Sequence, residues 1–303
     1  MNNLSIMQRA KKSVRSRLAK HIDNVDISYA DQRDPLIKRS AVRTIEFLTG
    51  GRKLADLYRE HQRSSNDNES FWEAAVRLLE LKLDLKGKEI PKTGPLVVVA
   101  NHPFGIIDGI IINQIISQVR PDFKIIAHGI LTRAPEAAAQ ILPIDFGTGR
   151  EAVQKTLETR KQALQWLADG HVLAIFPAGG VSTTKKPFDP AIDARWRPFT
   201  GKLIQSAKAP VLPIYFKGSN SRMFHIATHL SDTLRLSLFI NEVHRKIGDR
   251  IIVRVGEMQP FEELAAIKDR QALVDKLFLD TYALGHIYPD LEKVPAAWLN
   301  DFR

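Results

Sequence analysis

A histidine and an aspartate follow an apolar run in the stretch VVVANHPFGIIDG, residues 97–109. His102 and Asp108 are ionisable, and an apolar core gains nothing from two such groups. Six residues of extended chain span about 20 Å, so these side chains can meet only if the chain folds back. Pro103 and Gly105 favour that turn. A carboxylate bonded to one ring nitrogen fixes the imidazole tautomer and leaves the other nitrogen to accept a proton. The spacing therefore predicts His102 as a general base that Asp108 orients.

The nucleophile of such a reaction is predicted to come from the substrate. The chain contains no cysteine, and no serine stands close to His102 in the sequence. A G-x-S-x-G nucleophile elbow is also absent from the sequence. We therefore expect the base to deprotonate a substrate hydroxyl. The alternative is that the pair only caps a helix or ties down a loop. An H-x5-D spacing by itself favours that alternative; the apolar run before the pair and the turn inside it count against the alternative without deciding between the two.

Short apolar runs alternate with helix-like segments over the central part of the chain. The helix-like segments include residues 151–168 and 202–207. Fully apolar short strands separated by helices are typical of a parallel sheet covered on both faces. We predict an α/β fold, with a mixed, mostly parallel sheet between about residues 86 and 256, flanked by helices. Ligands bind at the carboxyl ends of such strands, which is where His102 stands. The predicted strands are 96–100, 123–127, 172–176, 211–216 and 251–255.

The sequence divides into two regions. Residues 1–85 are predicted to be a helical N-terminal region in contact with a membrane surface, and residues 86–303 an α/β domain with C-terminal helices. Helical spacing of apolar residues predicts that the C-terminal segment is helical from Pro260 to about Leu284.

Two N-terminal helices are predicted in more detail. Apolar residues keep helical spacing from 37 to 48, and Gly50 and Gly51 are expected to end that helix. Asn68 or Ser70 is expected to cap a second helix. The apolar face of the second helix is predicted to include Trp72, Ala75, Val76, Leu79 and Leu83.

Three stretches together resemble a known family. NHPFGIIDG resembles the first block of the glycerolipid and lysophospholipid acyltransferases, which pair a histidine and an aspartate after a strand. Its H-x5-D spacing is similar to a bacterial branch labelled hemolysin-like or ornithine-lipid-type, whereas H-x4-D is the common form. ILPIDFGTGR (141–150) lies where the second block belongs, and IFPAGGVST (175–183) where the third belongs. Gly201, followed by VLPIYF (211–216), is similar to the end of the family pattern.

The resemblance implies an activity. It implies an O-acyltransferase of membrane lipid biosynthesis, which moves a fatty acyl group from acyl-CoA or acyl carrier protein to the hydroxyl of a lysolipid. It also implies that no metal and no bound cofactor are required. His225 and His229 stand four residues apart, but we expect packing or surface roles for them rather than metal binding.

The third block supplies most of the predicted substrate-binding residues. Small residues there let the backbone approach a ligand, and N–H groups near Gly179 are predicted to stabilise an oxyanion. Basic residues beyond the block suit a phosphate of the lysolipid, coenzyme A or carrier protein. The predicted set is Phe176, Pro177, Ala178, Gly179, Gly180, Val181, Ser182, Lys185, Lys186, Arg195, Arg197 and Lys202.

The sequence departs from the family pattern at three positions. Ala178 stands where the third block usually has glutamate, and Val181 where it has arginine. Phe146 stands directly after Asp145, where the second block usually has arginine. Headgroup recognition through these positions is therefore not expected.

The charge balance favours anionic partners. The chain has 44 Lys+Arg against 34 Asp+Glu, a formal net charge of +10. Six basic and no acidic side chains lie within residues 1–20, which predicts either a basic amphipathic helix or a solvated arm. The N-terminus shows no signal-peptide pattern. We expect a cytoplasmic protein, peripheral on the inner face of the cell membrane. Two alternatives are a non-catalytic lipid-binding protein with the same fold and a nucleic-acid-binding protein, although no nucleic-acid-binding module accompanies the charge.

Overall fold

The fold is built on one seven-stranded sheet. A computed structural model of the protein describes residues 35–64, 69–144, 149–186 and 188–294. The strand order is β1-β7-β6-β2-β5-β3-β4, and every neighbouring pair is parallel except β6 and β7. The strands are β1 (Lys82–Gly87), β2 (Leu96–Ala100), β3 (Phe123–His128), β4 (Ile141–Ile144), β5 (Val172–Ile175), β6 (Val211–Lys217) and β7 (Arg250–Val255).

Helices cover both faces of the sheet. The α-helices are α1 (Leu36–Glu46), α2 (Arg52–Ser64), α3 (Phe71–Leu78), α4 (Ile106–Ser117), α5 (Pro135–Ala138), α6 (Arg150–Ala168), α7 (Pro198–Ala207), α8 (Arg222–Leu230), α9 (Asp232–Arg245), α10 (Phe261–Leu264) and α11 (Arg270–Ala283). A π-helical turn (Phe47–Gly51) joins α1 to α2, and a 3₁₀ turn (Gly129–Arg133) follows β3.

The central strand β2 contributes to the core on both faces. Val98 and Ala100 belong to one buried cluster, with residues of α3, α4 and α9. Val97 and Val99 belong to the other, with residues of α6, α7 and α11. Successive side chains of a strand point to opposite faces, so a strand buried on both faces must be continuously apolar. This explains why LVVVA shows no alternation of apolar and polar residues.

The predicted α/β class and mixed sheet are confirmed, and all five predicted strands are present. Two strands were missed, and both are edge strands. β1 (KLDLKG) carries charged side chains, which are common on edges because they discourage pairing with another chain. β4 (ILPI) contains Pro143. Proline cannot donate a hydrogen bond to the sheet, so it is tolerated on an edge strand, where one side needs no such bond. The helical prediction for Leu83 is wrong, since α3 ends at Leu78 and Leu83 pairs with Ile251 in the sheet.

The N-terminal helices differ from the prediction at the glycine pair. Gly50 and Gly51 do not end the helix, because the π-helical turn continues directly into α2. Gly50 has φ +116°, and a Cβ atom there would lie 2.5 Å from the His244 ring. The glycine therefore permits a close approach to α9 rather than a helix stop. Ser70 caps α3 through a capping box with Glu73, as expected.

The C-terminal segment is helical as predicted, in two pieces. The short α10 is separated from α11 by residues 265–269. Asp269 caps α11 by accepting the N–H of Ala272 at 2.7 Å. Within the described residues, no helix combines the length and the apolar character that a bilayer crossing requires.

Arg120 holds the amino edge of the sheet together. Its side chain is buried and donates to the carbonyls of Pro91 at 3.2 Å, Gly94 at 3.0 Å and Gly170 at 3.2 Å. It also forms a two-pronged ion pair with Asp122, at 2.7 and 2.5 Å. The hydrogen bond from Arg120 is the main cause that lowers the pKa of Asp122 to about 2. One guanidinium thereby joins the turns that precede β2, β3 and β5.

We predict that Arg120→Ala lowers the free energy of unfolding by about 2–4 kcal/mol at pH 7, because it leaves three backbone carbonyls and a carboxylate without the buried donor that joins them. Asp122 has a depressed pKa, so its stabilising effect is lost as the pH falls from 3.8 towards about 2, and the difference should shrink there. Urea unfolding at neutral and acidic pH measures this. Arg59→Ala, which removes an exposed ion pair with Asp56, is the control and should cost less than about 1 kcal/mol. Equal losses in the two variants would contradict the prediction.

Candidate active site

Asn101 directs the chain out of the sheet at the carboxyl end of β2. Its side chain is buried and pairs with the backbone of Phe216 in β6. The amide Nδ2 donates to the Phe216 carbonyl at 2.9 Å, and Oδ1 accepts the Phe216 N–H at 2.7 Å. The side chain thus continues the β2–β6 pairing beyond Ala100. The next residue, His102, is placed at the carboxyl edge, where parallel sheets bind ligands.

His102 and Asp108 meet, as the sequence predicted. His102 Nδ1 lies 3.1 Å from Asp108 Oδ2. The same oxygen accepts the backbone N–H groups of Phe104 at 2.8 Å and Gly105 at 3.0 Å. Gly105 has φ +77°, a conformation that glycine adopts without strain, and it starts α4, whose first turn carries Asp108. The chain therefore folds back through a tight turn that ends as a helix N-terminus.

Asp108 is buried, so the pKa of its carboxyl depends on the hydrogen bonds that it accepts. The carboxylate is fully buried, and Oδ1 has no hydrogen-bond partner among the described residues. Burial raises the pKa of Asp108, whereas the hydrogen bonds from His102, Phe104 and Gly105 act in the opposite direction. The His102 ring stacks on Phe176, with ring centres 3.8 Å apart. With Nδ1 bonded to Asp108, His102 has Nε2 as its remaining acceptor.

A second buried carboxylate, which the sequence analysis missed, holds the backbone of His102. Asp193 Oδ1 accepts the N–H of His102 at 3.1 Å and the hydroxyl of Ser182. Ser182 N–H in turn donates to the carbonyl of His102 at 2.8 Å. Asp193 Oδ2 accepts Trp196 Nε1 at 2.9 Å, and Tyr282 accepts the Asp193 N–H at 2.8 Å. Both backbone polar groups of His102 are therefore fixed.

The third block forms a turn in which several N–H groups have no acceptor among the described residues. The Gly179 N–H donates to the Phe176 carbonyl at 3.0 Å and is therefore already bonded. The N–H groups of Gly180 and Val181 have no acceptor in the described parts of the chain. The oxyanion donors predicted near Gly179 are thus better assigned to Gly180 and Val181, because only a free N–H can bind a developing charge. Gly179 adopts φ +73°, which produces the turn.

A largely apolar cavity opens in front of His102. Its volume is about 950 Å³, near the upper end of the range for small-molecule sites, about 300–1,000 Å³. Helices α2 and α3 contribute Leu57 and Trp72 to one part of its wall, and α6 and α9 contribute Leu157 and Phe239 to another. The predicted site residues that line it are His102, Phe176, Pro177, Ala178, Gly179, Gly180, Val181 and Arg197.

The other predicted binding residues lie outside the cavity wall. Ser182 is buried behind it, where it supports His102. Arg195 is exposed and pairs with Asp275 on α11, at 2.5 Å. Lys185, Lys186 and Lys202 are exposed on the surface. The structure does not bring these four basic residues to His102, and a role for them in substrate binding stays a prediction.

Comparison with known proteins finds a family match for the part of the chain that contains these residues. The family model described as Acyltransferase matches residues 82–217, which include the turn from His102 to Asp108, the third block and β6. Residues 82–217 are therefore similar to this acyltransferase family.

Curated proteins similar to this chain come from two bacteria. A lyso-glycine lipid O-acyltransferase of Phocaeicola vulgatus is 26% identical over 174 residues, which cover 56% of this chain and 59% of the relative. A protein of the same name from Bacteroides thetaiotaomicron is 30% identical over 175 residues, which cover 56% of this chain and 61% of the relative. The chain thus spans about three fifths of the length of these relatives.

A solved structure is also similar to this chain. The crystal structure of the 1-acyl-sn-glycerophosphate (LPA) acyltransferase PlsC from Thermotoga maritima matches with a TM-score of 0.47 at 15% identity. The match covers 82% of this chain and 87% of the PlsC chain.

Other predicted features of the sequence have structural explanations. Gly201 lies in α7, where a Cβ atom would stand 2.8 Å from the Arg270 carbonyl of α11, so it permits close helix packing rather than ligand contact. His225 is buried in α8, and His229 Nε2 lies 3.2 Å from the Thr184 hydroxyl. Asp145 and Phe146 of the second block lie outside the described residues.

We predict that Asp108→Asn lowers turnover at least about a hundredfold in a protein that still folds. The amide oxygen can still accept the N–H groups of Phe104 and Gly105. With its oxygen in the position of Oδ2, the amide also keeps the bond from Nδ1–H, but a neutral amide cannot stabilise the imidazolium that forms when His102 takes a proton. Because burial raises the pKa of Asp108, its ionised form costs stability at neutral pH. The variant does not titrate at this position, so the urea midpoint of the unchanged protein should rise relative to that of the variant as the pH falls from 7 into the acidic range. If the variant's turnover were close to that of the unchanged protein, the role of Asp108 as the partner of His102 would be refuted.

Proposed function

We propose that the protein is an O-acyltransferase that moves a fatty acyl group from a thioester donor to the hydroxyl of a lysolipid. The observation that carries the proposal is His102, paired with the buried Asp108 and lining an apolar cavity, within a region that matches the acyltransferase family model. The names of the curated relatives support a lysolipid acceptor, and a role in membrane lipid biosynthesis follows from such an activity.

The reaction begins with proton transfer to His102. Nε2 removes the proton of the acceptor hydroxyl, and Asp108 stabilises the imidazolium that forms. The acceptor oxygen attacks the thioester carbonyl carbon to give a tetrahedral intermediate. When the C–S bond breaks, the ester is complete, and the leaving thiolate takes the proton from His102. The base is thereby regenerated without a covalent enzyme intermediate.

The negative charge of the intermediate needs donors close to His102. The free N–H groups of Gly180 and Val181 lie in the cavity wall, in the loop that begins at Phe176 beneath the His102 ring. Backbone N–H groups held rigidly in place stabilise a developing oxyanion without reorganisation. The loop is fixed to the histidine by the Ser182 N–H, which donates to the His102 carbonyl. Base and oxyanion donors are therefore positioned as one unit.

The cavity suits acyl chains. Its wall is formed mainly by aliphatic and aromatic side chains, such as Leu54, Phe71, Ile110 and Val243. Burying a methylene group in such a wall contributes about 0.8 kcal/mol, so a long acyl chain gains affinity steadily with length. Acyl-CoA and acyl carrier protein both present their acyl group as a thioester and both fit the proposal as donors.

We predict that His102→Ala lowers acyl transfer at least about a hundredfold while leaving the fold intact. Purified protein is incubated with lysolipids and with acyl-CoA or acyl carrier protein, and the products are weighed by mass spectrometry. His171→Ala is a matched control, because His171 also pairs with an aspartate, Asp122, but at the amino edge of the sheet. The control should keep most of its turnover. Near-normal transfer by the His102 variant would exclude the mechanism and favour a non-catalytic lipid-binding protein.

The acceptor is a lipid, so we also propose that the protein binds peripherally to an anionic membrane surface. Residues 1–20, which lie outside the described residues, carry six basic side chains and no acidic ones. Each contributes on the order of 1 kcal/mol near an anionic bilayer, and salt screens the attraction.

Deleting residues 1–20 should therefore weaken binding to anionic vesicles more than binding to neutral ones, and the difference should narrow as salt rises. Vesicle co-sedimentation of the intact and shortened proteins at two salt concentrations measures this. Unchanged binding to both kinds of vesicle would show that this segment does not contact the membrane.

A further inference from the structure

The charged side chains that line the cavity are all basic. The wall contains three arginines and, within the described residues, no aspartate or glutamate. Arg160 and Arg197 lie at the part of the cavity formed by α6 and the start of α7. Neither forms an ion pair with an acidic side chain among the described residues. A cavity with basic groups and no acidic counterpart attracts an anion.

Arg197 lies close to the catalytic pair. Its backbone N–H donates to the Pro177 carbonyl at 3.1 Å. Pro177 directly follows Phe176, whose ring stacks on His102. The guanidinium Nε is buried and has no acceptor in the described part of the chain. A buried charged donor without an acceptor is costly, so an anionic ligand that accepts from it would be bound tightly.

Arg160 completes a pair of guanidinium groups. Its guanidinium carbon lies 4.7 Å from the centre of the Phe199 ring, two residues beyond Arg197. Burial lowers the pKa of Arg197, and the nearby charge of Arg160 lowers it further. The two cations therefore repel each other, and an anion between them relieves that repulsion. Stacking on Phe199 orients the planar group of Arg160.

We propose that Arg160 and Arg197 bind the anionic headgroup of the lysolipid acceptor, a carboxylate or a phosphate. The proposal rests on the proposed acyl transfer, because it assigns the headgroup of the same acceptor whose hydroxyl faces His102. The third block of this chain has Ala178 and Val181 and therefore no charged side chain of its own to hold a headgroup. Guanidinium groups match both carboxylate and phosphate, with paired parallel hydrogen bonds.

The acceptor, rather than the donor, is expected at this pair. The headgroup of a lysolipid is joined to its reactive hydroxyl by a few bonds, so it must lie near His102. Arg197 meets that requirement through its bond to Pro177. In acyl-CoA, by contrast, the phosphates are separated from the thioester by the long pantetheine arm. The KM for the acceptor and the KM for the donor therefore show whether the two arginines bind the lysolipid headgroup or the phosphates of the donor.

The test compares acceptors that differ in headgroup charge. The full-length protein and its Arg197→Gln and Arg160→Gln variants are assayed with a hydroxylated N-acylglycine, its glycinamide counterpart, lysophosphatidic acid and monoacylglycerol. Lys161→Gln is the matched control, since Lys161 is the exposed neighbour of Arg160 and does not line the cavity. Arg197→Lys, which keeps a charge, tests whether packing alone is lost. Thermal unfolding confirms that each variant is folded.

We expect each glutamine variant to raise KM at least about tenfold for one or both anionic acceptors, because a charge-assisted hydrogen bond is lost. The KM values for the neutral acceptors and for the donor should stay within about threefold, and Lys161→Gln should change none of them. Arg197→Lys should recover part of the loss. Comparison of the KM values for the N-acylglycine and for lysophosphatidic acid shows whether a carboxylate or a phosphate headgroup is preferred.

Two results would overturn the proposal. Equal losses for charged and neutral acceptors would show a structural role, and a raised KM for the donor alone would assign the pair to the donor phosphates. If the unchanged protein transferred no acyl group to any acceptor, the proposed function would fail separately. Calorimetric binding of the same four lysolipids then decides the inference, since affinity that does not depend on headgroup charge, or on Arg197, would overturn it.

Discussion

The active site depends on a single buried oxygen atom. Oδ2 of Asp108 accepts bonds from the His102 ring and from the N–H groups of Phe104 and Gly105. A carboxylate this far from water is tolerated only with such donors. The three donors come from a turn of the same short segment, so satisfying the oxygen also sets the turn, the start of α4 and the orientation of the imidazole. The rest of the sheet supplies the fixed position from which that turn begins.

Local features of the site could be predicted from the sequence, whereas distant ones could not. His102 and Asp108 are close in the chain, and the turn residues between them show that they can meet. Asp193 lies 91 residues from His102, and nothing in its neighbourhood marks it as a partner of that backbone. Arg197 was expected within a basic cluster, but Arg160 belongs to a helix whose pattern indicates only an amphipathic surface. Contacts between residues that are far apart in the sequence are set by the topology of the sheet.

The same distinction explains which strands were recognised. Interior strands such as LVVVA are buried on both faces, and their composition differs sharply from that of the helices. The edge strands β1 and β4 are partly exposed, and one carries charges while the other carries a proline. The amino-acid compositions of these two strands are as typical of loops as of strands. An edge strand gains its conformation from the neighbour with which it pairs, here β7 for β1 and β3 for β4.

The pairing of Asn101 with Phe216 has a consequence for folding. These residues are separated by 115 positions, and the contact of His102 with Asp193 spans 91. Closing such loops is slow, because chain entropy is lost before the contacts form. A chain still emerging from the ribosome at residue 200 contains the histidine and its aspartate, but not the strand that anchors Asn101. The reactive geometry therefore arises only when β6 joins the sheet, late in the folding of the domain.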